Sequence, residues 1–200
     1  MWYNRITASS FNNFVKVVKT IFFIFKIATI KIQIKDGGVL MFKINEHIMY
    51  GNVGVCQVVD ITNEKFINGE KRDYYVLSPI NNNNTIIKTP LDNNKITMRK
   101  IISKGDVTSL INDMPNMDTL WIDDEKKRNN QFKTMLKSGK CEDLIKLIFN
   151  KRYAKSTSKK LNKADKEIIK EAERLLNEEF AIILNISPNE VNSYISSQIS

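Results

Sequence analysis

The chain has 200 residues, of which 42% are apolar and 26% charged, a globular composition that excludes general disorder and leaves room for one domain or two small ones. A net charge of +9 suggests an anionic partner, but residues 1–40 carry six basic residues and one acid, so only +4 remains for the rest. Any phosphate-binding face must come from clustering of cations. Cys56 and Cys141 stand far apart in no metal or redox spacing, and the single histidine, His47, has no companion, so neither a disulfide framework nor a zinc site is expected.

Residues 1–40 contain "FVKVVKTIFFIFKIATIKIQI", where lysines at 16, 19, 26 and 31 break the apolar run before it is long enough to span a bilayer. No small-residue cleavage pattern follows, which argues against an export signal. The codons for Gly37-Gly38 can supply a ribosome-binding core shortly before Met41. Residues 1–40 are therefore expected to be an upstream extension, not native or disordered, with translation beginning at Met41.

From Met41, β-branched alternation around Val53, Val55, Gln57 and Val59 predicts a strand after a glycine-bearing turn at Gly51–Gly54. Asn68-Gly69 joins two strand-like runs and predicts a hairpin. "NNNN" (81–84) reads as a loop, "TIIKTPL" as a short strand that Pro90 confines to an edge or terminus, and "KITMRKII" as the last strand. Five short strands in about sixty residues suggest an SH3- or Tudor-like antiparallel barrel.

The period then becomes helical. Ser103 caps a first helix that Pro115 stops. "DTLWIDDEKKRNNQFKTMLKSG" predicts a helix capped by Asp118 and ended by Gly139, with Trp121 at its mouth. "CEDLIKLIFNKRYAK" makes a third, and Asn162 caps a long amphipathic helix through residue 183. Ser187 and Pro188 open a final short one. The fold class is α+β: a barrel over 41–102 followed by an all-α helical bundle over 103–200.

Nothing in this order supports an enzyme: the phosphate-cradling loop, the nucleophile elbow and the metal quartet are all missing from the sequence. Asp123, Asp124 and Glu125 read as first-turn acids favoured by the helix dipole rather than as a metal cluster. No cofactor is expected. The basic residues are more informative: Lys126, Lys127, Arg128 and Lys133 follow Trp121, Lys151, Arg152 and Lys155 end the next helix, and Lys159, Lys160, Lys163 and Lys166 flank the long one. Brought together they would neutralise several phosphates, whereas scattered they are solvated lysines. Beside such a surface an indole can pack into the core or stack on an unpaired base.

The stretches "FKINEHIMYGNVGVCQVVDI", "NGEKRDYYVL", "IIKTPL", "MRKIISKGDV", Trp121 before "LKSG", and "LNKADKEIIKEAERLLNEEFA" together resemble the CarD/CdnL family of bacterial RNA polymerase-binding transcription regulators. The resemblance covers about residues 41–195. It implies a Tudor-like polymerase-interaction domain, shared with the transcription-repair coupling factor, and a helical DNA-binding domain. It implies docking on the polymerase β subunit through Lys65, Ile67 and Lys88, and contact with promoter DNA at the upstream edge of the bubble through Trp121, Lys127, Arg128 and Lys166. The expected role is to stabilise the open promoter complex. The alternative is a polymerase-binding adaptor whose helices contact another protein. A cytoplasmic protein with no membrane partner is expected, monomeric, with a domain-swapped dimer as the alternative. Gly51 and Asn52 stand where relatives often carry Pro and His, and the stretch from Trp121 to Gly139 is about four residues longer than in some relatives.

Overall fold

A computed structural model describes residues 42–65, 71–82, 84–119 and 121–199. The expected extension over 1–40, the Asn68-Gly69 turn and Ile67 lie outside the described residues.

Five antiparallel strands come first: β1 (His47–Tyr50), β2 (Gly54–Lys65), β3 (Lys71–Pro79), β4 (Ile87–Pro90) and β5 (Met98–Lys100). β2 and β3 pair antiparallel from Cys56↔Pro79 to Lys65↔Lys71, as strands of a hairpin do. A register shift between Val58 and Asp60 bends this long ribbon. The sheet order is β4-β3-β2-β1-β5, so β4 and β5 are edges that do not pair with each other. The expected barrel is therefore corrected to an open sheet. Its edge strands have only four and three residues, too short to bridge the remaining gap, and helices cover one face instead. Pro90 ends the edge strand β4, where a missing N–H costs no ladder bond.

The strand period of two divides the apolar residues between two cores. Ile48, Tyr50, Cys56, Val58, Tyr75 and Leu77 gather with Phe42 in one cluster. Met49 and Val55 point the other way and join the helical core. Five helices follow among the described residues: α1 (Lys104–Asp113), α2 (Glu125–Ser138), α3 (Cys141–Ser156), α4 (Lys163–Leu184) and α5 (Val191–Ile199). α4 is the central element, burying Ile168, Ile169, Ala172, Leu175, Leu176 and Phe180 at helical spacing.

The helix ends follow their residues. Ser103 and Asp106 make a reciprocal capping box at α1, and Asn162 and Asp165 make another at α4. Gly139 ends α2 at φ 65°, a left-handed conformation glycine adopts without steric cost. One boundary differs from expectation. α2 begins at Glu125 and its cap is Asp124, whose carboxylate accepts from Lys127 N–H at 2.7 Å, so Asp118 and Trp121 lie on the incoming segment. The final helix begins at Val191, after a turn held by the Glu190 carboxylate accepting from Ser187 N–H at 2.8 Å.

Two buried carboxylates on α4 tie the helices to the sheet. Glu179, fully buried, receives Arg99 of β5 in a bidentate pair at 2.6 and 2.7 Å, and it also accepts from Ile102 N–H at 3.0 Å. Arg99 in turn donates to the Gly139 carbonyl at 2.6 Å. Glu178 pairs with Arg174, whose guanidinium reaches the Asn52 carbonyl at 2.7 Å. Gly54 lies against this pair at φ 105°, and a Cβ there would run into the Glu178 carboxylate. Burial raises the pKa of Glu178 against the opposing pull of Arg174.

Both cysteines are buried and free. Burial first, and then the Glu178 charge, push the Cys56 thiol up to about 12, and burial raises Cys141 as well. A disulfide-exchange reagent is therefore expected to leave both unmodified in native protein at pH 8 and to titrate both in denaturant. Fast labelling of either in the native state would contradict this placement.

Candidate nucleic-acid interface

Trp121 is half-buried, and three elements hold its ring. Arg128 of α2 lies 4.8 Å from the ring centroid, Tyr153 of α3 is 5.6 Å away at a tilt of 37°, and Lys159 from the α3–α4 turn is at 5.5 Å. The indole N–H donates to Asp123 Oδ1 at 2.9 Å, and the same carboxylate pairs with Lys159. Lys159 and then the indole hydrogen bond hold the Asp123 carboxyl below its ordinary pKa. The three consecutive acids thus have separate tasks. Asp123 clasps the indole, Asp124 caps α2, and Glu125 accepts from the Asn162 amide at 2.6 Å.

Arg128 does not face outward. It is 3% exposed, and its Nε and Nη2 donate to Asp165 Oδ2 at 2.9 and 2.8 Å. Nη1 donates to the Ile122 carbonyl at 2.9 Å. Where the resemblance implied a DNA contact for Arg128, its fork of donors is occupied by a fully buried carboxylate and by the backbone beside Trp121. The sequence offers a weak sign of this, because Asp165 sits at the N3 position of a capping box and so points back toward a helix start. Pairing across 37 residues is not otherwise visible in the sequence.

The other candidates stay on the surface. Lys127 and Lys166 are exposed. Lys166 joins Lys151, Lys155, Lys159, Lys160 and Lys170 around a cleft of about 820 Å³ between the end of α3 and the start of α4. Arg152 is not on that wall; it stacks over Phe149 at 5.5 Å. Lys126 and Lys133 line a second, shallower recess with Asn129 and Asn162. The cations that follow Trp121 and those that flank α4 therefore fall into two groups on either side of the α4 N-terminus. Lys159 belongs both to the larger cleft and to the indole, so charge and aromatic surface are continuous there. A half-exposed indole beside the Lys159 ammonium can stack on a base while neighbouring cations hold phosphates.

On the sheet, Lys65 and Lys88 are exposed at the end of the β2–β3 ribbon and on edge strand β4. Lys88 pairs with Glu64, which lowers the Glu64 carboxyl, so Lys88 carries a salt-bridged rather than a bare charge. No described helix is long and apolar enough to cross a membrane. No group of three or more metal-ligating side chains occurs among the described residues.

No curated protein matches the chain. Residues 42–102, the sheet and its exit, match the family model of the CarD-like/TRCF RID domain. The match supports a polymerase-interacting domain, a module of protein binding rather than catalysis, whose implied partner is the RNA polymerase β subunit.

Proposed function

We propose that the protein is a transcription regulator that docks on the polymerase β subunit through residues 42–102 and holds opened promoter DNA through its helices. The observation that carries the second half is Trp121, half-buried with Arg128 and Lys159 over its ring and next to a cleft of lysines. Lys65, Ile67 and Lys88 serve the polymerase contact. Trp121 meets bases at the upstream edge of the bubble. Lys127, Lys159 and Lys166 contact phosphates, and Arg128 acts from behind as a positioning residue.

The mechanism is differential binding. A stacked indole interacts with an unpaired base and has no counterpart in closed duplex, so binding shifts the equilibrium toward the open form. Tethering to polymerase supplies a high effective concentration at the promoter. Each lysine that contacts a phosphate releases counterions on binding.

The test pairs two measurements. Purified β lobe should retain the protein in a pull-down, and the protein should bind fork-junction DNA with a steep salt dependence. Lys159→Gln or Lys166→Gln should each weaken fork binding and lower the salt slope by about one. A slope near zero in the parent protein would favour an adaptor whose helices contact another protein.

A further inference from the structure

The cations around the larger cleft are not all placed where helix stability alone would select them. Lys151 and Lys155 lie toward the C-terminal end of α3, where the helix dipole favours positive charge. Lys166 lies at the end of the first turn of α4, near the positive end of the dipole, where a cation is disfavoured, and Lys170 follows one turn later. Each couple is also a like-charge pair at i, i+4 spacing, which is destabilising on a helix surface. Glu173 is the one carboxylate on the wall among the described residues, and Lys151 takes it at 2.8 Å. No carboxylate pairs with Lys155, Lys166 or Lys170 among the described residues.

Two lysine couples therefore face one concave space with little internal neutralisation. An anion with one charge can satisfy only part of it, whereas one with several charges within a short span can meet both walls. The volume of about 820 Å³ suits a small ligand, and Ala154, Leu161 and Ile169 give the wall an apolar portion. Ammonium groups act as point charges on flexible stems, which suits phosphates that present many equivalent oxygens.

We propose that this cleft binds a compact polyphosphate anion, the chemistry shared by inorganic tripolyphosphate and the phosphate chain of a nucleotide. Occupancy competes with opened DNA, because Lys159 and Lys166 border both sites. Only this competition rests on the proposed DNA contact; the binding itself does not.

The experiment is calorimetric titration of the full chain at constant ionic strength, with inorganic tripolyphosphate, orthophosphate and a short single-stranded oligonucleotide as probes. Tripolyphosphate should saturate at one per chain and bind at least about tenfold more tightly than orthophosphate, since it meets several cations at once. The double substitution Lys155→Gln/Lys170→Gln, at two exposed positions away from the indole, should weaken tripolyphosphate by about tenfold or more and change oligonucleotide binding far less. Absence of saturable tripolyphosphate binding, or equal binding by the double variant, would overturn the proposal. Equal losses for oligonucleotide and tripolyphosphate would also overturn it, since the cleft would then be part of the nucleic-acid path. If tripolyphosphate binds as described but does not displace fork DNA, the polyphosphate site stands and the shared use of Lys159 and Lys166 falls.

Discussion

Asp165→Ala is expected to cost about 3–5 kcal/mol of stability, because it leaves the Arg128 guanidinium buried without its counter-charge. Asp165 is fully buried and meets Arg128 through two of its donors. The substitution also removes half of the capping box of α4, worth up to about 1 kcal/mol more. Equilibrium denaturation measures the sum. The double variant Arg128→Met/Asp165→Leu separates stability from function. Replacing both partners by apolar residues removes the stranded charge, so most of the stability should return. Fork-DNA binding should stay weak, because the guanidinium that stacks on Trp121 and holds the Ile122 carbonyl is gone. Full recovery of both properties would mean that Arg128 does not position the indole.

Trp121→Ala should have the reverse profile. The ring is half-buried and makes one tilted aromatic pair and two cation–π contacts, besides an exposed hydrogen bond from its N–H to Asp123. At ~0.5–1.5 kcal/mol for the pair and ~0.5–1 kcal/mol for each cation–π contact on a half-exposed ring, the fold should lose about 1.5–3.5 kcal/mol, toward or below the low end of the 3–5 kcal/mol typical of a core aromatic. Stacking of one base on an aromatic ring is worth about 1–3 kcal/mol, so affinity for fork DNA should fall roughly tenfold or more. Binding to the β lobe should be unchanged. A stability loss well above 3 kcal/mol with unaltered DNA binding would make Trp121 a core residue.

The two buried features that decide this site were legible to different degrees. Caps at Ser103, Asn162 and Gly139 are local signals, since each depends on residues within one turn. The hairpin was legible for the same reason, and β2 and β3 pair antiparallel. The start of α2 was not, because the segment offers Asp118, Asp123 and Asp124 as competing caps. Trp121 and Ile122 sit at apolar positions that suit a helix, but Arg128 holds the Ile122 carbonyl outside it. Closure of the sheet into a barrel was overestimated, because strand count says nothing about edge length or about the helices that cover Met49 and Val55. The inward turn of Arg128 depends on Asp165, far along the chain, and charge alone cannot distinguish a buried pair from a phosphate contact. Clustering of six lysines around one cleft needed the α3–α4 packing to become visible.

The most direct measurement is the lifetime of open promoter complexes challenged with a polyanionic competitor, with and without the protein. The account predicts that the parent protein lengthens the lifetime severalfold and that Trp121→Ala, still retained by the β lobe, loses most of that effect. Equal lifetimes with parent and variant protein, both bound to polymerase, would contradict the claim that the indole holds the opened DNA.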